Sequence, residues 1–338
     1  MANEFNNTAD KILDVIKKSK RILLHCHPYP DPDSIGSVLA MTMVLKNMGV
    51  EVVPIMGDSD YPNNLKSLPH HDLLLKKNFS EINQNDFDLF IILDSSSLDQ
   101  ISRLNEIKIS SNIKTIVVDH HISNQKFGDI NLIDETCSST CQLLFDLFTR
   151  WNIKIDGDMA ICMFLGIYAD TGGFKYQNTT DKTFLVASKL ANINHNFQKV
   201  IFEMENNKSP QEILYTGLAL SSIEKYFSGK VAMASVTYSE IKKHGITKEN
   251  TQTGVANTLI SATGWDIGIN FVETEPNEIT VNLRTRDAEK YDVSLVAKSV
   301  GKGGGHKAAA GTTIYEPFEI AKKLLLDTLE KTFPCLNK

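Results

Sequence analysis

Apolar residues in the first 135 positions come in short runs: ILL after Arg21, VVPIM after Glu51, LFIIL after Asp88 and IVV after Thr115. Runs of this length suit buried strands and are too short for ordinary helices. Between and around them lie stretches of helical spacing. TADKILDVIKKS reads as an amphipathic helix with Thr8 as its N-cap. DSIGSVLAMTMVLKNMG reads as a second helix, closed by Gly49. Strands alternating with helices predict an α/β domain on a doubly wound, mostly parallel sheet, whose ligands sit outside the carboxyl ends of the strands.

From Cys137 to about Tyr226 the pattern turns helical, through SSTCQLLFDLFTRW, GDMAICMFLGIYAD, DKTFLVASKLANI and SPQEILYTGLALSSIEKYF. Pro210 suits the first turn of the last of these. After Gly229 a period of two returns. Trp265, Ile267, Ile269 and Phe271 alternate with polar or small residues, as Ile279, Val281 and Leu283 alternate with Asn282, Arg284 and Arg286. The pattern predicts a first domain over residues 1–190, a helical connector over 191–228 and a smaller α/β domain over 229–338.

Composition narrows the class. Apolar residues make up 42% of the 338 and charged residues 22%, the balance of a soluble globular protein. No apolar run reaches the roughly 18 residues of a membrane span, and MANEFNNTADK lacks a signal-peptide pattern, so a cytoplasmic protein without a membrane partner is expected. The five cysteines are scattered, which fits reduced thiols; Cys137 and Cys141 alone would make only half a zinc site. A net charge of −6 argues against gripping a long duplex but leaves small anionic substrates open. Whether the chain forms a homodimer is left open.

Chemistry concentrates at the predicted strand ends. HCHPYPDPDSIGS places His25, His27, Asp31 and Asp33 after the first strand, Asp94 follows another, and Asp119, His120 and His121 end a third. Asp170, in YADTGGF, ends an apolar helix. Each has a bland reading: an aspartate at a strand end often caps the next helix, and a lone histidine is usually structural. Together they weigh more, because parallel strands would bring these ends to one edge of the sheet. Asp31, Asp33, Asp94 and Asp170 would repel one another unless cations neutralise them, and two divalent ions would balance the four carboxylates. Imidazole with carboxylate suits Mn²⁺, Fe²⁺ or Zn²⁺ better than Ca²⁺ or Mg²⁺. Two ions about 3.5–4 Å apart are a recurring device for hydrolysing phosphate esters.

The stretches HPYPDPDSIGS, FIILDSS, VVDHHIS, YADTGGF and GKGGGHKAAAG, in this order, resemble the motifs of the DHH phosphoesterase superfamily, the last resembling the GGGH signature of its DHH-associated C-terminal domain. Size and layout are most similar to the NrnA-type branch of oligoribonucleases and 3′-phosphoadenosine 5′-phosphate phosphatases. The resemblance implies one metal on His27, Asp31 and Asp94 and another on Asp33, Asp94, His120 and Asp170, with Asp94 bridging and Mn²⁺ the expected ion. It implies that Asp119 orients an imidazole and that His121 faces the substrate phosphate. It assigns substrate binding to Arg284, Gly304, Gly305 and His306. Ser34 stands where the family commonly has alanine, and His25 has no counterpart in the motif. Ser138, Ser139 and Thr140 match a family SST at a helix start, where capping alone would explain them and a structural role near the site is the alternative.

A glycine-rich run is by itself weak evidence and most often a flexible loop; here it would let backbone approach an anion while His306 donates. Arg284 suits phosphate through its planar fork, and Arg286 is expected to be solvated. His70, His71, His195 and His244 match no motif. The expected function is metal-dependent hydrolysis of short oligonucleotides, linear dinucleotides and 3′-phosphoadenosine 5′-phosphate. The alternatives are a cyclic-dinucleotide (c-di-AMP) phosphodiesterase and, more remotely, a nucleotide sensor without catalysis.

Overall fold

The computed structural model describes residues 2–57, 59–102, 107–251 and 254–337. The chain divides into two compact units, residues 1–207 and 208–338. The division falls inside the stretch expected to connect the domains. Among the described residues, no helix is long and apolar enough to cross a membrane.

The first unit runs α1 (Ala2–Lys18), β1 (Arg21–His25), α2 (Pro32–Asn47), β2 (Glu51–Ile55), β3 (Leu89–Leu93), β4 (Lys114–Asp119), β5 (Ile130–Ile133), α3 (Thr140–Arg150), α4 (Gly157–Asp170), α5 (Asp181–Ile193) and α6 (Phe197–Glu205). All its strands are parallel, in the order β2-β1-β3-β4-β5. The chain leaves β1 to one side for β2 and returns on the other side for β3. The order therefore reverses between β1 and β3, the place where such sheets open a crevice at their carboxyl edge.

One face of this sheet, with Ile22, Leu24, Ile91, Leu93, Ile116 and Val118, packs on the helices. The other, with Leu23, Phe90, Ile92 and Val117, packs on Phe79, Phe87, Ile101 and Ile113. Those last residues lie in connections where the described residues form only 3₁₀ turns and loops. Asn78 and Asn83 cap two of the turns, and Pro69 precedes them, so a helix has little run in which to propagate.

Two expectations are corrected. The first helix begins at Ala2, not at Thr8, because Phe5 continues the stripe of Ala9, Ile12 and Ile16 one turn earlier. IEKY is a strand rather than the end of a helix. The helix before it stops where the Ser221 and Ser222 hydroxyls donate to the carbonyls of Leu218 and Ala219.

α2 and α4 cross closely. A Cβ on Gly36 would lie 2.4 Å from the Cys162 carbonyl oxygen, and one on Gly166 would lie 2.8 Å from Asp33 Oδ1. Both positions therefore need glycine for close approach.

The second unit contains α7 (Pro210–Ser221), β6 (Ile223–Tyr226), β7 (Val231–Val236), α8 (Tyr238–Lys243), α9 (Val255–Ser261), β8 (Ile267–Glu275), β9 (Glu278–Thr285), α10 (Val293–Val300), β10 (Lys302–His306), β11 (Ala309–Ile314) and α11 (Phe318–Thr332). Its sheet is ordered β10-β11-β9-β8-β7-β6, and only β7 and β8 pair in parallel. Ile279, Val281 and Leu283 of β9 face the core formed with α10 and α11. β8 is buried on both faces because α9 covers its other side, where Leu259 packs near Val272.

Candidate metal centre

The carboxyl ends of the neighbouring strands β1, β3 and β4 lead into one cluster. After His25 the chain turns through His27, and Asp31 becomes the N-cap of α2, with Oδ1 accepting from the Ser34 amide at 2.9 Å. Its other oxygen, Oδ2, faces His27 Nε2 at 3.4 Å. Capping and facing the site are therefore done by different oxygens of the same carboxylate.

Asp33 sits in the first turn of α2 and is buried. Its Oδ2 accepts from the Thr140 amide at 2.7 Å and its Oδ1 from the Cys141 amide at 2.9 Å, at the N-terminus of α3. Asp94 follows β3 in a left-handed conformation, φ 52, which an aspartate tolerates better than most residues. Its Oδ2 lies 3.6 Å from His27 Nε2 and its Oδ1 3.7 Å from His120 Nε2. Asp170, the last residue of α4, places Oδ2 3.1 Å from His120 Nε2, and Asp33 Oδ2 lies 4.0 Å from the same nitrogen.

The donor atoms fall into overlapping groups able to hold a cation: His27, Asp31 and Asp94; Asp33, His120 and Asp170; and Asp94, Asp119, His120 and His121. Asp94 belongs to the first and last of these. Asp119 is buried with its oxygens occupied, Oδ1 accepting from His121 Nδ1 at 2.7 Å and from the His120 amide at 2.8 Å, and Oδ2 from Asn124 Nδ2 at 2.7 Å. Its evident task here is to hold the His121 ring.

The electrostatics describe a site that needs positive charge. Burial and the charges of Asp94 and Asp170 push Asp33 well above the carboxylate range. Burial also raises Asp170, against the opposing pull of the His120 imidazole 3.1 Å away. Burial alone would lower His27, but Asp31 and Asp94 hold it up at about 10. His120 is likewise raised to about 10, burial being outweighed by Asp170, Asp33 and Asp94. The hydrogen bond to Asp119 raises His121. Protons on these groups stand in for cations. His120 Nε2 is buried with no hydrogen-bond partner among the described residues, and three carboxylates face it. A divalent ion fits that donor set.

His25 is not part of the cluster. It points to the opposite face of β1 from Leu24, edge-on to Phe90, and Nε2 donates to the Ile101 carbonyl at 2.9 Å. Burial drives its pKa down to about 3, so it is a neutral strut for the segment after β3. Cys137 and Cys141 enter none of the cation-binding groups found among the described residues; Cys141 packs under Asp33.

The second unit brings together the other expected residues. Register places His306, Ala309 and Arg284 in one cross-strand row, and Gly304, Gly311 and Asn282 in the next. Arg284 is half-buried, and burial lowers its pKa. Its guanidinium donates only to the Leu283 carbonyl and meets no carboxylate among the described residues.

The glycine run is a strand, not a loop. A Cβ on Gly303 would lie 2.3 Å from the Gly311 carbonyl oxygen, and one on Gly305, at φ +131, would lie 2.6 Å from that of Ala309. Those two glycines answer to strand packing. Gly304 has open space around it.

Two side chains that brace the cluster escape sequence reasoning. Thr140 does not, since its motif at a helix start allows a structural role near the site as well as capping. Asn124 and Asn178 carried no signal, because a solitary asparagine in a loop looks like any turn residue.

Residues 21–167 match the DHH family, N-terminal domain, and residues 228–333 match the DHHA1 domain. The chain is 27% identical over 314 residues to a probable bifunctional oligoribonuclease and PAP phosphatase NrnA of Streptococcus mutans, covering 90% of this chain and 93% of that one. It is 25% identical over 337 residues to the bifunctional oligoribonuclease and PAP phosphatase NrnA of Bacillus subtilis, covering 94% and 96%. A cyclic-di-AMP phosphodiesterase PdeA of Listeria monocytogenes is 23% identical, over 94% of this chain but 48% of that one. Among solved structures, an exopolyphosphatase-related protein of Bacteroides fragilis superposes with a TM-score of 0.86 at 26% identity, covering 98% of both chains.

Proposed function

Because the chain belongs to the DHH family, with a DHHA1 domain after its DHH domain, we propose that it hydrolyses short oligonucleotides and linear dinucleotides to mononucleotides, and 3′-phosphoadenosine 5′-phosphate to the monophosphate. The observation that carries this reading is Asp94, set at the sheet's carboxyl edge with one oxygen toward His27 and the other toward His120. In this reading His27, Asp31 and Asp94 hold one divalent ion, and Asp33, Asp94, His120 and Asp170 a second, with Mn²⁺ favoured by the mixture of imidazole and carboxylate. Such ions, when bound, acidify water and neutralise charge on the phosphoryl group.

The protein's own groups do the remainder. Asp119 fixes His121 with Nδ1 as the donor to it, and no described residue bonds to Nε2, which is left to donate a proton to a phosphate oxygen. Against the effect of burial, the hydrogen bond to Asp119 raises the His121 pKa and so favours the protonated ring. Asp33 is held by two backbone amides and cannot swing away. In the second unit, Arg284 is proposed to take a further phosphate as a bidentate partner, with His306 in the same row and the open surroundings of Gly304 giving the nucleotide room beside the Gly305 backbone.

A c-di-AMP phosphodiesterase is the second reading, favoured by similarity to the Listeria protein. Turnover of pApA, pGpG, a short RNA, 3′-phosphoadenosine 5′-phosphate and c-di-AMP with Mn²⁺ and with EDTA distinguishes them. The first reading expects metal-dependent release of mononucleotides from the linear substrates and slower attack on the cyclic one. Preference for c-di-AMP would replace it, and no turnover of any would overturn both.

A further inference from the structure

Three of the proposed ligands come from different elements, yet all are tied to one turn at the start of α3. The Thr140 and Cys141 amides hold the two oxygens of Asp33. Asn178 Nδ2 donates to the carbonyl of Ser138 at 3.0 Å and to that of Asp170 at 3.1 Å, joining the end of α4 to the same turn. The Thr140 hydroxyl donates to Asp94 Oδ1 at 3.0 Å. Gln142 braces the turn from below, its Oε1 accepting from Ser138 Oγ at 2.7 Å and Thr183 Oγ1 at 2.9 Å. Thr140 is fully buried.

The Thr140 contact matters because of what Asp94 must do. The last torsion of an aspartate is broad and roughly two-fold, so the carboxylate plane is not set by its own rotamer. Yet Oδ2 faces His27 while Oδ1 faces His120 and His121. Among the described residues, Thr140 Oγ1 is the only hydroxyl or amide that donates to this carboxylate. A capping role would not require it, since Ser139 supplies the cap of α3 by accepting from the Gln142 amide at 3.0 Å.

We propose that the Ser138–Cys141 turn is the positioning element of the metal centre and that the Thr140 hydroxyl sets the orientation of Asp94. The inference rests on the metal reading above and adds a residue that contacts neither substrate nor ion. Thr140→Val keeps the shape and removes the donor; Thr140→Ser keeps the donor and removes a methyl group.

Mn²⁺ affinity is measured by competition with a chromophoric chelator, alongside the melting of each protein in EDTA. Thr140→Val is expected to bind Mn²⁺ about 10–100-fold more weakly, the usual cost of losing a partner of a metal ligand. Thr140→Ser should stay close to wild type, and the two metal-free proteins should melt alike. If Thr140→Val does not fold, Thr140→Ala is read against Thr140→Ser in the same way. Unchanged affinity in the valine or alanine variant overturns the inference alone. So does equal loss in the serine variant, which would make the effect one of packing. Wild-type protein that takes up no Mn²⁺ overturns the metal reading and this inference together.

Discussion

Asp94 and the two histidines of the opening turn give the sharpest tests at the scale of single residues. Asp94→Ala removes the carboxylate shared between the two halves of the cluster. It is expected to lower activity by more than the ~10–100-fold typical of an indirect partner, and to cut bound Mn²⁺ measured by elemental analysis. Normal turnover with two tightly held ions would contradict the assignment. His27→Ala should likewise lose activity and metal. His25→Ala should instead lose stability, about 2–4 kcal/mol in urea unfolding, since it leaves a cavity and an unpaired Ile101 carbonyl. The pH dependence follows from the raised groups. In metal-free protein Asp33, His27 and His120 favour folding in their protonated forms. For the histidines that contribution is full below about 6.5 and is lost as pH rises through about 10. The melting temperature in EDTA is therefore expected to fall between about pH 7 and pH 10. With Mn²⁺ in place of the protons the decline should be much shallower.

Elements differ in how much of themselves the pattern discloses. The buried runs of β1, β3 and β4 were legible because a fully buried parallel strand is apolar throughout. β5, four residues reading INLI, was not, since its half-buried pattern resembles loop. IEKY read as helix because local spacing does not reveal the serines' turn back onto the preceding carbonyls. The glycine run read as loop because its partner strand lies beyond it in the chain. The crossing of α2 and α4 is also a property of two elements and tests itself as such. Gly36→Ala forces a Cβ against the Cys162 carbonyl and should destabilise by about 1–3 kcal/mol in urea unfolding. Gly166→Ala presses on Asp33 directly and should weaken Mn²⁺ binding as well.

At the scale of the molecule, the proposal divides the work between two units, and Arg284 tests that division. Arg284→Ala is expected to leave Mn²⁺ content unchanged and to lower kcat/KM for pApA by about 10–150-fold, the equivalent of roughly 1.5–3 kcal/mol for a charged phosphate contact. Bis-p-nitrophenyl phosphate, which carries no second phosphate for Arg284 to hold, should be hydrolysed almost as before; an unchanged ratio of the two would remove Arg284 from the substrate's partners. The sequence by itself determined the parallel sheet and the identity of the groups at its carboxyl edge, because strand burial and ligand chemistry are written locally. It determined equally that His27, Asp31, Asp33, Asp94 and His120 would share that edge if the strands were parallel; Asp170 ends a helix, and parallel strands alone do not place it there. Only the tertiary structure decided which oxygen of Asp31 caps α2 and which faces His27, that His25 turns to the other side of the sheet, and that α3 holds Asp33 and Asp94 from 107 and 46 residues away. Those choices depend on packing between distant segments, and a hydrogen bond across a hundred residues leaves no period in the chain to be read.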